Sequence, residues 1–223
     1  MRGRRRGEAD MRTRDRVTYQ VASWCLGYPD EELIGRLPTL RAALGEQRPT
    51  EPTRLLRGFV DHLARTPLEQ LTRHYVDVFD LSRKHALYLS YWTDGDTRRR
   101  GEVLGSFKQR YRDSGYLVQT GGELPDFLPM VLEYAAVVDP SDGRQLLEAY
   151  RPSLELLRIA LQERETAYAD VAVAVCETLP GASPADRAAV MQMAGAGPPT
   201  ESVGLEPYDP RLLPMHESTN GAG

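Results

Sequence analysis

Residues that could build a metal or redox site occur in this chain of 223 residues, but their spacing does not assemble one. His74 lies three residues before Asp77, and on a helix that spacing places two potential metal ligands on one face. No second pair completes such a site, so an ordinary hydrogen-bonded histidine is the favoured interpretation. Cys25 and Cys176 stand far apart without a CxxC pattern. The sequence therefore predicts no metal site and no cofactor held by this chain.

Motifs that mark common enzyme sites are also absent from the sequence. There is no GxxxxGK(S/T) phosphate loop, no GxGxxG after a strand, no HExxH zinc motif and no GxSxG nucleophile elbow. Each absence removes one class of reaction. We predict that the protein is not an enzyme, has no catalytic residue and works by binding.

Aromatic residues alternate with carboxylates in two stretches, residues 74–92 and 123–134. Packed side by side, these stretches would form an apolar groove whose lining comprises Tyr75, Phe79, Tyr88 and Tyr91. Carboxylates are expected on the rim of that groove, namely Asp77, Asp80, Glu123 and Asp126. Such a groove suits an amphipathic or extended peptide that carries basic residues. Taken singly, each aromatic residue is more often part of a core, so only the clustering favours binding.

The segment from Glu123 to Pro129 predicts the start of a helix. Asp126 has the side chain of an N-cap, and Pro129 falls in the first turn, where a proline costs no hydrogen bond. The unpaired N–H groups and positive dipole end at that terminus would keep Glu123 and Asp126 ionised and available to a cationic partner. A simple capping role is the alternative for each carboxylate taken alone.

Apolar residues recur at helical spacing along most of the chain, and no alternating pattern predicts a strand. We therefore expect an all-α fold, with a single globular multi-helix domain over residues 17–194. Residues 1–16 form a basic arm with seven arginines, and residues 195–223 are rich in Gly and Pro. Both terminal segments are predicted to be disordered.

Details of several helices follow from the same pattern. Pro38 and Pro152 are expected to kink or split their helices, and a last short helix is predicted to start at Ser183. A polar helix is expected over residues 97–113, with the three arginines at 98–100 on its solvent face.

Overall composition narrows the class of partner. The formal net charge of −4 gives no global positive field, so nucleic acid is not an expected partner. No apolar run approaches the roughly 20 residues of a membrane span, and the two separated cysteines fit a reducing cytoplasm. We do not expect an integral membrane protein. The arginine-rich arm leaves an RNA-binding regulator as an alternative from another class, although charge runs are more often simply solvated.

Three motifs together resemble the NarJ-type assembly chaperones of respiratory nitrate reductase, which belong to the TorD and DmsD clan of molybdoenzyme chaperones. The motifs are HYVDVFD at residues 74–80, GDTRRRG at residues 95–101 and ELPDFLP at residues 123–129, followed by Leu132, Glu133 and Tyr134. Their order and spacing make the resemblance specific, and it runs from about Val17 to Leu179.

The resemblance implies an all-helical, cytoplasmic and non-enzymatic protein of the TorD/NarJ-like chaperone type. Such chaperones bind the N-terminal leader of the apo catalytic subunit and assist insertion of its molybdenum cofactor before membrane attachment. Molybdenum cofactor biosynthesis proteins are a further candidate for a partner. A chaperone for another molybdoenzyme, such as a sulfoxide or N-oxide reductase, is the alternative within the clan.

The resemblance also assigns residues to the client-binding site. The family's ExPDHL element maps onto Glu123, Pro125, Asp126 and Leu128, whereas Phe127 replaces its usual histidine. A role that depends on that histidine is therefore not assigned to this chain. The predicted client-peptide site comprises Tyr75, Phe79, Asp80, Tyr88, Glu123, Pro125, Asp126 and Leu128.

Overall fold

Helices make up the secondary structure of the residues that the computed structural model describes, which are residues 2–94, 98–115 and 121–195. Side chains are described for residues 14–93, 100–115 and 121–195. The helices are α1 (Arg2–Leu26), α2 (Glu31–Gly45), α3 (Glu51–Arg65), α4 (Leu68–Tyr75), α5 (Leu89–Asp94), α6 (Arg98–Asp113), α7 (Leu128–Glu133), α8 (Pro140–Ala149), α9 (Arg151–Glu163), α10 (Tyr168–Cys176) and α11 (Arg187–Met193). Two π-helical turns, Val76–Asp80 and Tyr134–Val138, continue α4 and α7. The prediction of an all-α fold is confirmed.

Several helix boundaries depart from the sequence-based expectation. Helix α2 continues through Pro38 as one helix, so the chain does not split there. Pro152 does separate two helices, because it lies in the first turn of α9, where its missing N–H costs no hydrogen bond. The last helix begins at Arg187 rather than near Ser183, and the Asp186 side chain caps it by accepting a hydrogen bond from the Ala189 N–H at 2.8 Å.

The N-terminal boundary of the domain lies earlier than expected. Helix α1 passes through the predicted boundary between residues 16 and 17, and its backbone is helical from Arg2. The Arg16 guanidinium donates to the Ala136 carbonyl at 2.7 Å, and Asp15 pairs with Arg144 at 2.6 Å. Residues 15 and 16 therefore belong to the folded domain, which corrects the arm's predicted limit of 1–16. Residues 196–223 of the predicted tail lie outside the described residues.

The core forms where α10 packs between α3 and α9, while α1 crosses both α7 and α10. Two further hydrogen bonds fix α1 in this position. The Tyr19 and Thr178 hydroxyls lie 2.8 Å apart, and the Ser23 hydroxyl donates to the Pro129 carbonyl at 2.7 Å. The Ser23 bond reaches the first turn of α7, so α1 helps to place the segment that precedes that helix.

A buried ion triad on α9 holds the chain that leads to α11. The fully buried Glu155 accepts hydrogen bonds from the Arg158 Nε at 2.6 Å and the Arg151 Nε at 3.3 Å. Both arginines also donate to backbone carbonyls of residues 180–184, and the Ser183 hydroxyl donates to Glu155 at 2.8 Å. Because every charged group here has a partner, the triad satisfies the condition under which buried charges are tolerated.

A candidate peptide-binding groove

Two helix N-termini meet at the floor of a groove. The Leu89 N–H donates to the Asp126 carbonyl at 3.0 Å, and the Leu128 N–H donates to the Leu87 carbonyl at 2.7 Å. This pair of bonds joins residues 87–89 to residues 126–128 immediately before α5 and α7. The Tyr88 and Phe127 rings are thereby held side by side, with centroids 5.6 Å apart.

Asp126 lies beneath this floor and not on the rim. Its side chain is fully buried, and Oδ2 accepts hydrogen bonds from the Ser90 N–H at 3.0 Å and the Ser90 hydroxyl at 2.6 Å. The carboxylate therefore caps the N-terminus of α5, whereas the N-cap of α7 is Phe127, which makes no side-chain capping bond. The prediction that Asp126 caps its own helix is wrong, and its carboxylate is buried rather than on the rim. Pro125 and Leu128 are likewise buried beneath the surface.

Arg100 is a basic residue of this region that the sequence analysis placed in solvent. Its side chain is only 15% exposed, and its Nη2 lies 3.9 Å from the Asp126 Oδ2. The guanidinium carbon stands 5.9 Å from the Tyr88 ring centroid and 5.8 Å from that of Tyr91. These are distances at which a cation is attracted to the aromatic ring face. Arg100 thus connects the buried carboxylate to the aromatic lining.

The resulting concavity, which we call the aromatic groove, has a volume of about 650 Å³. Six aromatic side chains line it, namely Tyr28, Tyr75, Phe79, Tyr88, Tyr91 and Phe127. Its charged lining residues are Asp80, Arg83, Arg100 and Glu123. Of the predicted site residues, the structure brings together Tyr75, Phe79, Asp80, Tyr88 and Glu123. The rim carries charges of both signs rather than the predicted carboxylates alone.

One wall of the aromatic groove comes from α4 and the π-helical turn that follows it. The Tyr75 hydroxyl donates to the Leu26 carbonyl at 3.2 Å, and its ring packs against Phe79 with centroids 4.8 Å apart. The Phe79 ring in turn rests on the Tyr168 ring at 4.8 Å. Asp77 does not reach the groove, because it is exposed and pairs with Arg164. Its predicted place on the rim is therefore wrong.

Two tyrosines of the aromatic groove, Tyr75 and Tyr88, have raised pKa values. The Tyr88 hydroxyl donates to Glu123 Oε2 at 2.5 Å. Desolvation by burial, followed by the bond to Glu123, raises the pKa of Tyr88 well above its usual value of 10. Burial raises the pKa of Tyr75 in the same direction. Both phenols are therefore neutral donors at physiological pH.

The residues first considered as metal ligands have other surroundings. His74 Nε2 lies 2.8 Å from the Thr166 hydroxyl oxygen, and its ring stacks on Tyr168. Burial raises the pKa of both the Cys25 and Cys176 thiols, so neither is a reactive thiolate. Within the described part of the chain, no three His, Cys, Asp or Glu side chains cluster as metal ligands would.

A membrane crossing has no candidate among the described helices, since none combines sufficient length with sufficient apolar character.

Sequence comparisons place the chain among proteins of nitrate reduction. The model of the family described as nitrate reductase delta subunit matches residues 46–174, which is more than half of the chain. The nitrate reductase-like protein NarX of Mycobacterium tuberculosis is 44% identical over 163 residues, covering 73% of this chain. The match covers 24% of NarX, so the chain spans about a quarter of that relative's length.

Relatives of similar length carry the name of a chaperone. The probable nitrate reductase molybdenum cofactor assembly chaperone NarJ of Bacillus subtilis is 35% identical over 162 residues, covering 72% of this chain and 88% of that protein. The Escherichia coli K12 chaperone NarJ is 31% identical over 151 residues, covering 67% and 64%.

A solved structure supports the helical fold. A proposed redox enzyme maturation protein from Archaeoglobus fulgidus superposes with a TM-score of 0.54 at 22% identity, over 73% of this chain and 91% of that one. The family match and the 35% identity to the Bacillus protein confirm the resemblance seen in the motifs, and the chain belongs to the nitrate reductase delta subunit family.

Proposed function

We propose that this protein is an assembly chaperone for the catalytic subunit of a respiratory nitrate reductase, and that the aromatic groove holds the N-terminal leader of the apo subunit. The observation that carries the proposal is the convergence of six aromatic side chains on one open groove in a member of this family. The names of the Bacillus and Escherichia relatives support the choice of client.

The chemistry of the aromatic groove suits one face of an amphipathic segment. Apolar side chains of the leader would displace water from the aromatic lining, which is favourable by about 25 cal/mol per Å² of apolar surface buried. Asp80 and Glu123 would pair with basic residues of the leader, and Arg83 and Arg100 with an acidic residue or a helix C-terminus. Mixed charges fix the direction and register of a bound peptide more sharply than a uniformly acidic rim.

An assembly role requires reversible binding and no catalytic step. The chaperone would hold the leader in the cytoplasm, before membrane attachment, and molybdenum cofactor biosynthesis proteins would act on the open apo subunit. Release follows if the cofactor-loaded subunit buries the leader, because a ligand favours whichever state leaves its binding segment accessible. Affinity for the loaded subunit is then lower than for the apo subunit.

A deletion strain complemented with matched variants tests this function. Leu124 lines the aromatic groove with 38% exposure, whereas Val137 is 52% exposed and does not line it. We expect the nitrate reductase catalytic subunit from the deletion strain to lack molybdenum, and wild type and Val137→Glu to restore it. Leu124→Glu should restore it poorly.

Metal analysis of the purified catalytic subunit gives the readout. Full molybdenum content in the deletion strain, or equal rescue by the two variants, would contradict the proposal. Pull-down with leaders of a nitrate, a sulfoxide and an N-oxide reductase identifies the client, and preference for either of the latter two would change its assignment.

A further inference from the structure

We propose that residues 207–215 of this chain occupy the aromatic groove until a client segment displaces them. The displacement rests on the proposed function, whereas the occupation of the groove does not. The segment reads Pro207, Tyr208, Asp209, Pro210, Arg211, Leu212, Leu213, Pro214, Met215. It lies in the tail beyond residue 195, outside the described residues.

The composition of this segment matches the lining of the groove. Prolines at 207, 210 and 214 favour the polyproline II conformation, which has three residues per turn. Segments of this kind bind grooves lined by aromatic side chains, because their backbone is already restricted and loses little entropy on binding. The aromatic groove offers six such rings. Tyr208 and the pair Leu212 and Leu213 supply apolar surface to cover them.

Charge is complementary as well. The segment carries one acidic residue, Asp209, and one basic residue, Arg211. In a helix of three residues per turn, positions two apart point in different directions and so reach different walls of a groove. The aromatic groove presents carboxylates and guanidinium groups together on its lining. A segment with both signs of charge fits it better than a purely basic one.

The last described helix, α11, is connected to the groove through Trp92. Val190 of α11 is fully buried in a cluster with Leu156 and Ile159, and Trp92 packs against this cluster. The Trp92 indole N–H donates to the Ala86 carbonyl at 2.9 Å. Ala86 itself lines the aromatic groove, so Trp92 connects the cluster that contains Val190 to the groove. Residues 196–206 span up to about 36 Å when extended. That length is comparable to the diameter of a folded domain of this size, so residue 207 can reach the groove of the same molecule.

A nitroxide label on the full-length protein tests the occupation without any client. Cys25 and Cys176 are both about 1% exposed with raised thiol pKa values, so a Ser218→Cys variant takes the label at position 218 alone. We expect the label to be restrained in this protein and in its combination with Val137→Glu. Combination with Leu124→Glu should make it several-fold more mobile. Equal mobility in the two combinations would overturn the proposal, and so would restraint that disappears on dilution, which would indicate binding to a second copy.

A leader-binding measurement then tests displacement. If the segment covers the groove in nine of ten molecules, the apparent affinity for the leader falls about tenfold. We expect the full-length double variant Leu212→Asp, Leu213→Asp to bind a synthetic leader peptide about tenfold more tightly than wild type, and to release the label. Unchanged leader affinity would overturn competition for the groove. A leader peptide that binds neither wild type nor the double variant would contradict the proposed function. The mobility of the nitroxide label would still show whether residues 207–215 occupy the groove.

Discussion

Two carboxylates among the described side chains are completely buried, Glu155 on α9 and Asp126 beneath the aromatic groove, yet their surroundings differ. Both oxygens of Glu155 accept hydrogen bonds, and two arginines flank it. Asp126 uses Oδ2 alone, for Ser90, while its Oδ1 has no hydrogen-bond partner among the described residues. The Arg100 Nη2 lies 3.9 Å from the Asp126 Oδ2.

The difference indicates an uneven distribution of stability. Glu155 therefore has more hydrogen-bond partners than Asp126, and we expect substitutions at the floor of the aromatic groove to cost less free energy than substitutions in the Glu155 triad. Binding regions are drawn from the less stable parts of proteins, because they must rearrange around a partner. We infer that α5 and the Asp126 turn adjust to a bound peptide while α9 stays fixed.

The largest effect is expected from Glu155→Ala. The substitution leaves Arg151 and Arg158 buried without their carboxylate, which costs about 3–5 kcal/mol in such pairs. The free energy of unfolding, measured in urea, should fall by that amount. Glu163→Gln is the matched control on the same helix, since its pair with Arg187 is exposed and should contribute little. Similar losses of unfolding free energy in both variants would show that the buried triad does not stabilise the fold more than an exposed ion pair.

A smaller loss is expected from Asp126→Ala. The Ser90 N–H and hydroxyl lose their acceptor, which costs about 1–3 kcal/mol. Asp126→Asn keeps an amide oxygen that can accept from Ser90, so its loss of unfolding free energy should be smaller. Equal losses in Asp126→Asn and Asp126→Ala would mean that charge, and not capping, is what this carboxylate contributes.

The affinity for the leader should depend on the exposed rim residue Glu123 rather than on the buried Asp126. We expect Glu123→Gln to weaken binding of a basic leader peptide about two- to fivefold, the size of one exposed ion pair. Glu133 is exposed and does not line the aromatic groove, so Glu133→Gln is the control. Titration calorimetry at a single salt concentration gives the comparison. Equal affinities of the two variants for the leader would show that Glu123 does not contribute to recognition.

Asp15 is partly buried, between the fully buried carboxylates and the exposed ones. Its titration should have the smallest effect on the free energy of unfolding. Burial raises its pKa above the usual 3.8 despite the bond to Arg144. The native state then binds this proton more tightly than the unfolded state, so stability is lost as pH rises from 3.8 through the native pKa. Relative to Asp15→Asn, wild type should become less stable over that pH range. Parallel pH profiles of the two proteins would contradict this sign.

The fold and part of the groove could be predicted from the sequence. Helical periodicity is local, so it located most helices and gathered Tyr75 and Phe79 on one wall. Asp126 was misassigned because its capping partner Ser90 is 36 residues away, on another helix. Arg100 was misplaced because a polar helix pattern does not reveal that one arginine lies between two tyrosines.

The Glu155 triad left a signal that the sequence analysis did not use. Arg151, Glu155 and Arg158 are spaced four and three residues apart, so they share one helix face. The residues between them are mostly leucines and other apolar side chains, which indicates a helix buried on all sides. Charged residues within such a helix must be paired with one another. The distant Ser183 and the carbonyls of 180–184 could not be predicted from any local pattern.

The central claim, that the aromatic groove holds the N-terminal leader of the apo catalytic subunit, is tested most directly by photo-crosslinking in the full-length chain. A photoreactive amino acid replaces Leu124 in one protein and Val137 in another, and each is mixed with apo and with cofactor-loaded catalytic subunit. We predict that position 124 captures leader peptides from the apo subunit, with much less capture from the loaded subunit and none at position 137. Equal capture at both positions, or capture at 124 of regions other than the leader, would contradict the account.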